Sequence, residues 1–164
     1  MSETPLTKEI KKALAKKLSD GSATRFATEV ECRSGVVDFM TCRLPVQGHD
    51  DAFFGYHMMP IITCYEIKIS ISDFKSLHGH NMVGDKNYYV ITDKIWEWLN
   101  KENNVNPYLG NGFIIYKNGR FYMKVESLLN RKPLSLENRF YFIDQIMKRL
   151  QLHSAYHLSL IKED

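Results

Sequence analysis

Asp38, Glu66 and Lys68 are the residues of this 164-residue chain whose types and spacing could do chemistry. Glu66 and Lys68 lie in Cys-Tyr-Glu-Ile-Lys-Ile-Ser at 64–70, where apolar Tyr65, Ile67, Ile69 and Ile71 alternate with polar Glu66, Lys68 and Ser70. In a β-strand that alternation sends Glu66 and Lys68 to one face. A carboxylate and an ammonium in so apolar a segment are unfavourable to bury unless something pairs with them. Asp38 belongs to Gly-Val-Val-Asp-Phe at 35–39, a second strand-like string. Neighbouring antiparallel strands bring facing residues within about 5 Å of each other. Asp38, Glu66 and the backbone carbonyl of Ile67 could then hold a magnesium ion that keeps several waters. Lys68 would orient or deprotonate the attacking water, or offset charge on a phosphate. That is equipment for phosphodiester cleavage. An arbitrary Glu-x-Lys in a strand is more often a solvated face, so the surrounding elements have to decide.

Those elements can be read in order. Thr4-Pro5 predicts a helix start, and Leu6, Ile10, Ala13, Leu14 and Leu18 make one apolar stripe that ends at Asp20-Gly21. In Arg25–Arg33, residues Phe26, Thr28, Val30 and Cys32 alternate with Ala27, Glu29 and Glu31; Ser34-Gly35 then turns into a second strand, Val36–Leu44. Pro45 to Pro60 reads as a long loop, and Ile61–Ile71 as the third strand. Ser72 predicts a cap for a short helix through Asp73, Phe74, Lys75 and Leu77. Asn87–Thr92 is a β-branched and aromatic strand, and Ile95, Trp96 and Leu99 mark another helix. Phe113–Tyr116 and Phe121–Val125 flank Asn118-Gly119, a good two-residue hairpin turn. Ser135 caps a long last helix with Leu136, Phe140, Ile143, Met147 and Leu150 on one face. The order α-β-β-β-α-β-α-β-β-α predicts an α/β (α+β) fold, a mixed sheet with antiparallel strands first and a helical crossover after.

Composition narrows the class. A charged fraction of 25% and a hydrophobic fraction of 44% suit one ordinary globular domain over residues 1–164. No apolar run reaches the ~20 residues of a membrane span. Cys32, Cys42 and Cys64 show no zinc-ligand spacing and are expected as small buried thiols in a reducing cytosol. The net charge of +3 permits a nucleic-acid partner without requiring one. His153 and His157 have the spacing of a zinc pair but lack a third ligand, and are expected at the surface. Trp96, Trp98 and the tyrosines are expected in core packing rather than on nucleic-acid bases.

Asp38 followed by Glu66-Ile67-Lys68 on paired strands, after a helix and within an antiparallel meander, resembles the PD-(D/E)XK nuclease superfamily and its restriction-endonuclease-like fold. Val37 stands where that family usually has a proline before the aspartate. More narrowly, Tyr-Glu-Ile-Lys-Ile-Ser-Ile-Ser-Asp-Phe-Lys at 65–75, with Lys86-Asn87-Tyr88-Tyr89 after it, looks like the signature of the small MmcB-like DNA-repair family. The resemblance covers about residues 5–130 and leaves the loop and the final hairpin and helix as additions. It implies a Mg²⁺- or Mn²⁺-dependent deoxyribonuclease of DNA repair, recombination or phage-type processing, cytoplasmic in a bacterium or phage-infected cell. Asp38, Glu66 and Lys68 would be catalytic; Asp38, Glu66 and the Ile67 carbonyl would bind metal, joined by Glu29 or, as a further acidic candidate, Glu9. Ser70, Lys75, His80 and Lys86 would contact DNA phosphates. DNA is the expected partner, no membrane is, and a homodimer is allowed because many nucleases of this fold dimerise to cut both strands. The alternative is a catalytically inactive DNA-binding or adaptor protein on the same fold.

Overall fold

The computed structural model describes residues 3–20, 24–43, 59–76, 78–101, 108–129 and 134–161, without the side chains of 153–161. Helix α1 (Pro5–Ser19) starts where Thr4 accepts the Thr7 N–H at 3.1 Å with proline at the first helical position. Strands β1 (Thr24–Cys32), β2 (Gly35–Arg43) and β3 (Ile61–Lys68) form an antiparallel meander. The third strand stops at Lys68, short of its expected end. Ser70 accepts the Asp73 N–H at 3.1 Å, and the Asp73 carboxylate accepts the Ile69 N–H at 3.2 Å. That mutual capping starts α2 (Ile71–Lys75).

Strand β4 (Lys86–Ile91) returns parallel to β3, and α3 (Asp93–Lys101) leads to β5 (Gly112–Lys117), parallel to β4. The expected turn at Asn118-Gly119, both at positive φ, joins β5 to β6 (Arg120–Val125) before α4 (Leu136–Ile161). The six strands lie side by side in chain order. This is the mixed α/β sheet flanked by helices that the element order predicts. No helix among the described residues is long and apolar enough to cross a membrane.

Each face of the sheet has its own cover. On one, Ile10 and Leu14 of α1 pack on Phe39, Ile67, Tyr88, Val90 and Ile114. The other face is shared. Phe142 and Ile146 of α4 cover Met40, Ile62 and Cys64, while Phe74, Ile95 and Leu99 cover Tyr89, Ile91, Phe113 and Ile115. Trp96 and Trp98 pack at the edge of this second cluster, as expected. Cys64 is buried and Cys32 and Cys42 are half-buried, all three as free thiols.

Two expectations about faces are corrected. Val30 does not share a face with Phe26: it packs with Ala27, three residues away, and opposite it Val37 packs with Met40. The alternation breaks at Glu29, whose φ of 52° is left-handed. In α4 the apolar stripe is split: Phe140 is 69%, Leu136 56% and Met147 51% exposed, while Ile143 and Leu150 are half-buried against the core. The helix is turned by Arg139, whose guanidinium binds both oxygens of the fully buried Asp85 at 2.6 and 3.1 Å. Asp85 also accepts the N–H of Ile62 at 2.9 Å and of Leu134 at 3.3 Å. A buried carboxylate needs such partners. Turning Arg139 inward carries Phe142 and Ile146, one and two turns on, into the core. Helix α4 is thus part of the domain's core rather than an addition. The expected loop at 45–60 lies outside the described residues except for Met59 and Pro60, as do the side chains of His153 and His157.

Candidate functional site

Strands β2 and β3 pair from Arg43 opposite Ile61 up to Phe39 opposite Tyr65. Beyond that point the ladder gives way. The Ile67 N–H donates to Oδ2 of Asp38 at 2.8 Å instead of to a backbone carbonyl. A side chain has taken a sheet position, and it draws the Asp38 carboxylate into the gap beside Glu66. Asp38, Glu66 and Lys68 therefore meet, as their order on paired strands predicts.

Glu66 and Lys68 occupy the seam between the two halves of the α4 face and are 2% and 4% exposed. Asp38 and the backbone N–H of Asn81 both act on the Glu66 carboxyl. Its Oε1 is buried with no hydrogen-bond partner among the described residues. Burial first, then the Asp38 charge, push the Glu66 carboxyl up to about 9, against the pull of Lys68. Burial also raises Asp38, opposed by the Ile67 N–H and by Lys11 and Lys68. At neutral pH the raised Glu66 carboxyl therefore favours its protonated form.

Lys68 donates to the carbonyl of His78 at 2.7 Å and lies 3.6 Å from Oδ1 of Asp73. The 78–81 segment roofs the site with backbone rather than histidine. Gly79, at φ +68°, leaves no space for a side chain: a Cβ there would sit 2.7 Å from Nζ of Lys68 and 3.2 Å from Oε2 of Glu66. Asn81 ties the roof to β2 by donating to the Val36 carbonyl at 2.9 Å.

Glu29 and Asp38 lie opposite one another between the register pairs Thr28–Phe39 and Val30–Val37. Lys11 of α1 binds both, at 3.2 Å from Oε1 of Glu29 and 3.8 Å from Oδ1 of Asp38, and also binds Glu3. Partial burial pulls the Lys11 ammonium down, but Glu3, Asp38 and Glu29 more than offset it and the group is raised. All of these residues open onto one cleft of about 700 Å³, together with Ser70, Asp73 and Arg149. Lys11 was not a sequence candidate. Its only signal is that Thr4, Thr7 and Lys11 share a helix face, which does not set it apart in a lysine-rich helix.

The other sequence candidates are not brought together. Glu9 accepts from the Tyr116 hydroxyl at 2.6 Å and is not in the cleft. His80 has both ring nitrogens engaged, Nδ1 with the Tyr89 hydroxyl at 2.7 Å and Nε2 with the carbonyls of Ser76 and Phe74 at 2.9 and 3.0 Å. It is a packed histidine with no nitrogen left for a phosphate. Lys86 begins β4 beside Thr63, whereas Lys68 is beside Ile91 at the other end. It lines a separate cleft of about 280 Å³ with Lys17 and Arg43 and pairs with Glu126 at 3.7 Å. Lys75 is exposed, with its ammonium 4.7 Å from the Trp98 ring centre. Ser70 lines the cleft while capping α2.

The donor set suits a hard cation. Asp38 and Glu66 supply oxygens, one of them buried without a hydrogen-bond partner among the described residues, and a divalent ion would compete with the proton that the raised Glu66 carboxyl favours. No group of three or more His, Cys, Asp or Glu side chains among the described residues is placed to hold a metal. An ion here would keep several waters.

No known family matches this sequence, and no curated protein does. Among solved structures the chain is similar to a protein of unknown function from Silicibacter pomeroyi. The likeness has a TM-score of 0.57 at 16% identity and covers 99% of this chain and 94% of that one, which is a likeness of fold.

Proposed function

We propose that this protein is a metal-dependent deoxyribonuclease, hydrolysing DNA phosphodiester bonds in repair, recombination or phage-type DNA processing in the cytoplasm. One observation carries the reading: Glu66, with a buried oxygen that has no hydrogen-bond partner among the described residues, lines one open cleft with Asp38 and Lys68. Asp38, Glu66 and the Ile67 carbonyl would hold Mg²⁺ or Mn²⁺, which when bound supplies a Lewis acid and a water of lowered pKa. Lys68, fixed by the His78 carbonyl, orients the attacking water or offsets charge on the phosphate. Ser70 and Asp73 border the path of the substrate backbone.

The test is cleavage of plasmid and linear DNA with Mg²⁺ or Mn²⁺. Asp38→Ala and Lys68→Ala should each lower the rate about 100-fold or more. Wild-type protein with no cleavage that these changes remove would sink the reading. One observation favours a second reading, an inactive DNA-binding or adaptor protein. Lys11 already places a positive charge 3.8 Å from Asp38. Salt-dependent DNA binding without cation binding would favour that reading.

A further inference from the structure

We infer that Lys11 is a built-in cation that limits this site to one divalent ion, standing where a second would otherwise neutralise Asp38 and Glu29. The inference rests on the metal-site reading above and adds the number of ions and the residue that sets it. Nuclease centres that use two ions bridge them about 4 Å apart over shared carboxylates. Here the carboxylates of Asp38 and Glu29 are already bridged. The Lys11 ammonium lies 3.8 Å from one and 3.2 Å from the other, and Glu3 closes its third side.

The arrangement is built rather than incidental. Lys11 is 17% exposed and its Asp38 partner 27%, so this pair is less screened by water than the pair with Glu29, whose side chain is 56% exposed. Glu29 reaches it from a left-handed φ of 52°, a backbone state that is unfavourable for a glutamate in a strand. From that backbone its carboxylate reaches Lys11 of α1 at 3.2 Å. Asp38 thus divides its oxygens, with Oδ2 on the Ile67 N–H and Oδ1 toward Lys11. Glu66 keeps a buried oxygen with no hydrogen-bond partner among the described residues, which would serve the single divalent ion. Lys11 is a positioning residue: it acts through Asp38.

The experiment counts Mn²⁺ bound to the metal-free full chain, by calorimetry and by electron paramagnetic resonance of the free ion. Wild type and Lys11→Arg should each bind one ion, and Lys11→Met should bind two. Adding Glu29→Gln to Lys11→Met should return the count to one. Lys11→Gln serves in place of Lys11→Met if the latter does not melt cooperatively. Two ions in wild type would overturn the inference, as would one ion in every variant. No ion in wild type would overturn the underlying metal-site reading itself.

Discussion

Glu66→Gln in the metal-free protein tests the central claim about the site, that its glutamate holds a proton which only a cation should displace. Burial beside Asp38 pushes the Glu66 carboxyl up to about 9 from its ordinary 4.5. With the folded pKa above the unfolded one, the unfolded chain releases its proton first. The group's contribution is intact below about pH 4.5 and is lost progressively as pH rises toward about 9. At about 1.4 kcal/mol per pH unit, wild type loses about 2 kcal/mol from this group between about pH 6 and about pH 7.5. Glutamine does not ionise, so the variant lacks that slope. By about pH 7.5 it should lead wild type by up to about 4 kcal/mol, less whatever hydrogen bonding the amide loses. For a domain of this size, 2 kcal/mol is about 4–8 °C in Tm. The assay is thermal unfolding of both proteins at the two pH values, in chelator and then with excess Mg²⁺. Mg²⁺ should raise the wild-type Tm, more at the higher pH because fewer protons compete, and leave the variant unmoved. Parallel pH dependence in the two proteins, or equal stabilisation of both by Mg²⁺, would refute the reasoning.

Three other outcomes follow from the packing. Gly79→Ala forces a Cβ to within 2.7 Å of Nζ of Lys68 at a left-handed φ. It should cost about 1–2 kcal/mol in chemical denaturation and lower DNA cleavage at saturating Mg²⁺; unchanged cleavage would mean the roof does not hold Lys68. Asp85→Ala leaves the buried Arg139 without its carboxylate and should cost about 3–5 kcal/mol by urea unfolding. Phe142→Ala should cost about 3–5 kcal/mol, whereas Phe140→Ser, on the exposed stripe, should stay within about 0.5 kcal/mol. The reverse order would mean that α4 buries its other face.

Much of this architecture is written locally. Thr4-Pro5, Asn118-Gly119 and Ser135 act over three or four residues, so helix starts and a hairpin can be read without knowing the rest of the chain. The Glu66/Lys68 face is equally local, because strand alternation settles it. What escapes is set by contacts between distant residues. Arg139 turns α4 because Asp85, 54 residues earlier, is buried and needs a guanidinium. Leu136, Phe140 and Met147 therefore stay outside while Ile143 and Leu150 pack partly inside, so apolar periodicity gives only part of the buried face.

The site has the same division. Asp38, Glu66 and Lys68 are legible because neighbouring strands bring them together, and pairing is a near-sequential property. Lys11 is not, because it reaches the site from a helix packed across the sheet face, 27 residues before Asp38 in the chain (Lys11 to Asp38). Glu29 is half-legible: register places it opposite Asp38, but its inverted backbone is visible only in the fold. A left-handed glutamate in a strand works against the local preference for extended backbone. It persists here where its carboxylate meets an ammonium that also reaches Asp38. The strain and the electrostatic contact fall on the same residue. That coincidence makes the α1 side of the cleft part of the candidate site rather than its wall.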